Sequence, residues 1–249
     1  MAGCAEGEPN VGPSRWEVGC LDIQTMNQVM NRTECDRRYR MIGNATDMKK
    51  QITNVVFDVG GVLTDYHQID YFEQLGYAPD MAKALTAATQ KSPDWIEYDR
   101  GVLTDEEVRA RFKKRTPSLA REIDESLTHM PGMVTARETA IPWVRSLKER
   151  GIHTYVLSNF SATCYRECHD ALSFEPLMDG CLWSFQQKVI KPDDAAFLLL
   201  LHMFQLTPSK TVFIDDTPAN VQAAEKLGIN GILFTNQKDV EAKLEQLLT

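Results

Sequence analysis

Three short apolar runs, Val55-Val56-Phe57, Tyr155-Val156-Leu157 and Val212-Phe213-Ile214, each stop abruptly on a polar side chain: Asp58, Ser158 and Asp215. Runs of β-branched and aromatic residues without polar alternation belong to strands buried on both faces, as in parallel sheets. Helical stretches separate them. Residues 141–147 carry an apolar face closed by Gly151, Pro192 stands near the first turn of a helix expected over 193–204, and Gly228 stops another over 218–227. A weaker strand signal at 182–185, a last strand at 231–234 and a terminal helix at 240–248 complete the pattern. Strands alternating with helices need right-handed crossovers, so the chain is constrained to an α/β fold with a Rossmann-like parallel sheet.

One long segment breaks the alternation. Residues 65–140 read as helical throughout, with pieces at 68–75 and 79–90, a capping box at Thr104-Asp105-Glu106-Glu107, and a last helix ended by Pro131-Gly132. An all-helical insert is therefore expected between two parts of the core, residues 51–64 and 141–249. Residues 1–50 are polar and show no sustained period, and Met48-Lys49-Lys50 leads directly into the first strand. They are expected to form a poorly packed leader after an upstream start.

The balance of 27 Lys+Arg against 35 Asp+Glu, net −8, leaves no basic stripe to neutralise phosphates, which excludes nonspecific nucleic-acid binding. The longest apolar run, residues 195–201, suits a buried helix rather than a membrane span. Cys4, Cys20, Cys35, Cys164, Cys168 and Cys181 make no disulfide framework, so reduced thiols and a cytoplasmic location are expected. Cys164, Cys168 and His169 share helical spacing, but a zinc site needs a fourth ligand, and a structural role is the expectation. Asn31 and Asn44 lie in glycosylation sequons without a secretory signal.

The chemistry-bearing residues collect at strand ends, where open parallel sheets bind ligands. Asp58 is either a turn residue or a nucleophile and metal ligand, with Gly60 and Gly61 letting backbone approach a bound group. Ser158 and Asn159 suit a phosphate oxygen or, equally, a plain helix cap. Lys191, before Pro192, either lies in solvent or leans to the sheet edge to neutralise a carboxylate and a phosphoryl group. Asp215 and Asp216 repel each other unless a cation sits between them and a partner acid, and hard oxygen donors favour Mg²⁺. Trp95, Glu97, Asp99 and Arg100 form a polar-aromatic cluster that contacts substrate or simply ends a helix.

In this order, Asp58, Ser158, Lys191 and Asp215-Asp216 resemble the four motifs of the haloacid dehalogenase superfamily, over about residues 53–249. The resemblance implies an aspartyl-phosphate mechanism on a small phosphorylated metabolite, a sugar phosphate in particular, in a monomer or homodimer. Asp58 would be the nucleophile, with Ser158, Asn159 and Lys191 holding phosphoryl oxygens. Mg²⁺ would be held by Asp58, the Gly60 carbonyl, Asp216 and, directly or through water, Asp215. The insert matches the position of the family's helical cap. One departure stands out: most phosphatases of the family carry a second Asp two positions after the nucleophile, and here that position is Gly60. A subgroup with an Asp-x-Gly-[Asn/Gly]-Val first motif, which includes sugar-1-phosphate phosphatases and resembles epoxide-hydrolase N-terminal domains, shares it. A 2-haloacid dehalogenase and a noncatalytic module binding a phosphorylated ligand are the alternatives.

Overall fold

The computed structural model describes residues 51–248. The expected leader, Cys4, Cys20, Cys35 and both sequons lie outside the described residues. Five parallel strands form the central sheet: β1 is Asn54–Phe57, β4 is His153–Ser158, β5 is Gly180–Trp183, β6 is Thr211–Asp215 and β7 is Asn230–Leu233. Their order is β5-β4-β1-β6-β7, so β1 lies in the middle. Phe57 pairs with Val156 on one side and Ile214 on the other, which brings Asp58, Ser158 and Asp215 to the same carboxyl edge. Between β1 and β6 the chain order reverses, and that is where a ligand crevice opens in such sheets.

The pleat of β1 decides how the two faces are covered. Val55 and Phe57 point into one core with Trp143, Val144 and Leu147 of α6 (Ala140–Glu149) and with Val240 and Leu244 of α11 (Gln237–Leu248). Val56 points the other way, into a core with Phe197 and Leu200 of α9 (Asp194–Met203) and Ala223 and Ala224 of α10 (Pro218–Lys226). Burial on both faces explains why these strands read as unbroken apolar runs.

After β1 the chain leaves the sheet through β2 (Thr64–Tyr66) and returns through β3 (Val134–Ala136), paired antiparallel. Between them lie α1 (Ile69–Gln74), α2 (Pro79–Ala88), α3 (Pro93–Asp99), α4 (Asp105–Arg115) and α5 (Ala120–Leu127). The expected all-helical insert is therefore incorrect at both ends. Strands of three residues are too short for period-2 alternation to register. The Thr104 capping box forms on both of its hydrogen bonds. Phe72, Leu85, Trp95, Phe112 and Ile123 pack these helices into the same core as Phe57.

Other boundaries move as well. β5 begins at Gly180, two residues before the expected run, and the Phe204 ring packs where a Cβ at Gly180 would stand. The expected end of that strand folds instead as the short helix α8 (Ser184–Gln187). α9 starts at Asp194 with Asp193 at its cap position, so Pro192 precedes the helix rather than opening it. Helix α7 (Ala162–Glu167) follows β4, with the Ser161 hydroxyl accepting from the Cys164 amide.

Candidate active site

Asp58 is anchored through its backbone, its N–H donating to the Ile214 carbonyl at 2.9 Å. Its Oδ1 accepts from the Ser158 hydroxyl at 2.9 Å and from Lys191 Nζ at 2.7 Å. Neither donor reaches Oδ2. The same Nζ donates to Asp215 Oδ2 at 2.7 Å, making one buried ammonium the bridge between two strand-end carboxylates. Asp215 is further held by the Thr217 amide at 2.8 Å and by Asn220 Nδ2 at 3.1 Å to both oxygens. Asp216 is exposed. Carboxylate oxygens of Asp58, Asp215 and Asp216 lie within 4.8 Å of one another, the sole group with metal-ligand potential among the described residues.

The electrostatics follow from burial with unequal charges. Burial pushes the Asp58 carboxyl up to about 6, opposed by Lys191 and reinforced by Asp215 and Asp216. Burial opposes the charge on Lys191, but Asp58 and Asp215 together hold its ammonium above its ordinary value. Asp216 is also raised, by burial and then by Asp215. Three carboxyls against one ammonium leave the edge short of positive charge. Hard oxygen donors in that state fit a divalent cation of the magnesium kind.

Two loops frame the cluster. After Asp58, Gly61 turns with φ +76°, and a Cβ there would run into the Asp216 carboxylate, so the glycine is required twice over. Gly60 does not adopt a left-handed conformation; a Cβ there would meet only Tyr66 Cβ, at 3.9 Å. Of the two glycines expected to let the backbone approach a bound group, Gly61 alone takes a left-handed turn. The guanidinium of Arg137 clamps this loop, donating to the Gly61 and Val62 carbonyls at 3.0 and 2.6 Å while pairing with Asp65. The other loop is tied by Asn159, whose side chain accepts from the Lys191 amide and donates to the Lys191 carbonyl, both at 2.9 Å.

A cavity of about 550 Å³ opens above the cluster, lined by Asp58, Gly60, Gly61, Asn159, Lys191 and Asp216 among others. A second pocket of about 220 Å³ shares Gly60, Tyr66, Gln68 and Asn159 with it and extends to Gln90, Trp95 and Asp99 of the insert. No Lys, Arg or His lines this pocket. Burial pushes the Asp99 carboxyl up to about 8, against a hydrogen bond from Trp95. Of the polar-aromatic cluster, then, Trp95 and Asp99 face the pocket, whereas Arg100 pairs with Glu97 and Asp193. Cys164 and Cys168 are buried, their thiols directed to Met133 Sδ and the Met130 carbonyl, and His169 is exposed, so the three do not gather.

Thus Asp58, Ser158, Lys191 and Asp215 are in direct hydrogen-bond contact, with Asp216 beside them and Gly60 and Asn159 on the cavity wall. Asn220, Thr217 and Arg137 were not singled out as contributors. Asn220 lies one helical turn past the acid pair, a spacing that could have revealed it. Arg137 carries no local signal, because its partners lie more than 70 residues away.

A parallel α/β core that gathers an acid, a hydroxyl, a lysine and an acid pair at its carboxyl edge defines a class of hydrolases. Residues 52–228 match the haloacid dehalogenase-like hydrolase family, and the chain belongs to it. It is 23% identical over 193 residues to a sesquiterpene phosphatase of Aspergillus oryzae, covering 78% of this chain and 95% of that protein. It is 27% identical over 210 residues to a D-ribitol-5-phosphate phosphatase of Bacteroides thetaiotaomicron, covering 79% and 98%. Two other curated relatives are much longer, and the chain spans 19% and 30% of their lengths. Among solved structures, a haloacid dehalogenase family enzyme from Bacteroides thetaiotaomicron superposes with a TM-score of 0.61 at 21% identity, covering 78% of this chain and 98% of that one. Among the described residues no helix is long and apolar enough to cross a membrane.

Proposed function

We propose that the chain is a Mg²⁺-dependent hydrolase of small phosphomonoesters, sugar or polyol phosphates in particular, acting through an aspartyl-phosphate on Asp58. The observation that carries this reading is the buried Lys191 bridging Asp58 and Asp215 while Asp216 remains exposed at the same edge. Lys191 and Ser158 converge on one oxygen of Asp58, leaving Oδ2 to attack phosphorus. Lys191, Ser158 and the Asn159 amide then hold the phosphoryl oxygens, where positioning and charge neutralisation supply most of the rate.

Asp58, Asp216 and the Gly60 carbonyl would hold Mg²⁺. Asp215, whose oxygens already serve Lys191, Thr217 and Asn220, would act on it from behind. When bound, Mg²⁺ supplies the missing positive charge opposite the phosphoryl group. Dehalogenation releases halide and needs no such cation, so the Asp215-Asp216 pair favours the phosphatase.

Relatives that act on a ribitol phosphate and on a sesquiterpene leave the leaving group open by name, and the pocket narrows it. With acceptors at Asp99 and Gln90 and no basic side chain, it favours an uncharged, hydroxyl-bearing group over a second phosphate. Residues 65–140 act as its cap, closing the pocket from above and excluding bulk water. The reading includes a cytoplasmic location, supported by free, buried Cys164, Cys168 and Cys181.

The test is phosphate release from a panel of sugar and polyol phosphates, with Mg²⁺ and with EDTA, for the wild type and Asp58→Asn. Release that needs both the metal and Asp58 is expected. Undiminished release by Asp58→Asn would refute the assignment of the nucleophile.

A further inference from the structure

Gly60 stands where a proton donor to the leaving group would be expected, yet the backbone there would accept a side chain. Its conformation is ordinary, and an added Cβ meets only Tyr66 Cβ at 3.9 Å. The acid is therefore missing for a chemical reason rather than a steric one. On the phosphatase reading, which this inference presupposes, an alkoxide leaving group still needs a proton.

We propose that Asp99, reaching in from the insert, is the catalytic acid that protonates the leaving-group oxygen. Asp99 and Gly60 line one pocket of about 220 Å³, and that pocket runs into the cavity above Asp58. The residue is fixed to the core. Its carbonyl accepts from the Ser184 hydroxyl at 2.5 Å, and Ser184 Oγ in turn accepts from the Phe160 amide at 2.8 Å, next to Asn159. Its neighbours Arg100 and Gly101 are held by Asp193 and by the Lys188 ammonium, on the segment that carries Lys191. The backbone around Asp99 is thus tied to both catalytic loops.

Its surroundings keep the proton on. Asp99 is the last residue of α3, where the partial negative charge of the helix end disfavours an anion. No cation lines the pocket, and the Trp95 indole is its one hydrogen-bond donor. The ionisable groups facing it from β2 and α7, Tyr66 and Cys164, are both pushed up by burial and stay neutral. The Asp99 carboxyl itself rises to about 8, so it is an acid at neutral pH. Gln90 Oε1, buried without a partner, supplies an acceptor for a hydroxyl on the same leaving group.

The steps balance. As Asp58 forms its bond to phosphorus and the ester P–O bond breaks, the Asp99 proton passes to the departing oxygen, giving an alcohol and an Asp99 carboxylate. Water then attacks phosphorus, breaking its bond to Asp58 and regenerating the Asp58 carboxylate. One water proton stays on the released phosphate and the other returns to Asp99.

The experiment compares wild type and Asp99→Asn, both loaded with Mg²⁺, on 4-nitrophenyl, phenyl and ethyl phosphate, three esters whose leaving groups need a proton increasingly. Asparagine preserves the size and hydrogen bonding but cannot transfer a proton. The expected loss in kcat is about 10²- to 10⁴-fold on ethyl phosphate, shrinking steadily toward 4-nitrophenyl phosphate. The wild-type rate on ethyl phosphate should fall above a pH of about 8, and that limb should vanish in the variant. Equal losses across the three esters, an unchanged high-pH limb, or wild-type turnover confined to 4-nitrophenyl phosphate would overturn the role of Asp99. Absence of phosphate release by the wild type from all three esters would instead remove the phosphatase reading beneath it.

Discussion

At the scale of single residues, the site is a charge imbalance held in place by packing. Because the folded carboxyl of Asp58 is raised to about 6, the folded state prefers it protonated. That preference contributes stability below the unfolded value near 4 and is lost as pH rises through about 6, a change of at most about 3 kcal/mol. Metal-free wild type should therefore lose stability between pH 4 and 7 relative to Asp58→Asn, as read by urea denaturation in EDTA, and adding Mg²⁺ should reverse the loss. Parallel curves for the two proteins would contradict it. Lys191→Met removes the one buried cation and leaves Asp58 and Asp215 facing each other. A fall in kcat of about 10²-fold or more with a raised KM is expected, since the same ammonium serves both carboxylate and phosphoryl group. Unchanged steady-state kinetics would place Lys191 outside the reaction.

At the scale of elements, the strand ends do the positioning and the turns after them set what fits. Gly61→Ala imposes an unfavourable left-handed conformation, costing roughly 1–2 kcal/mol, and drives its Cβ at Asp216. Mg²⁺ affinity should drop by more than that cost alone explains, measured by titration calorimetry; normal affinity would show that Asp216 is not a ligand. Asp58, Ser158 and Asp215 were legible in the sequence because each ends an apolar run long enough to recognise. Lys191 was legible by its place before a proline, although α9 begins at Asp194, one residue later than expected. β2 and β3 were not, since three residues leave no period to detect. Nor was Arg137, whose clamp on the Gly61 loop exists only because β3 returns beside β2. Asp99 was noticed as part of a cluster, but its separation from Glu97 and Arg100 depends on which side of α3 meets the core.

At the scale of the whole molecule, a sheet that reverses its order between β1 and β6 provides the crevice, and a helical insert sharing a core with Phe57 covers it. On the proposed function, specificity belongs to the insert and chemistry to the sheet edge, with Gly60 and Asn159 common to both cavities. On the proposed function, the chemistry at Asp58 is covalent. Its most direct test is rapid acid quenching of the Mg²⁺-loaded protein during turnover of a ³²P-labelled polyol phosphate, followed by peptide mapping. The account predicts a transient, hydroxylamine-sensitive label on the peptide containing Asp58, absent in Asp58→Asn. Steady turnover with no label on that peptide, or equal turnover by Asp58→Asn, would contradict it.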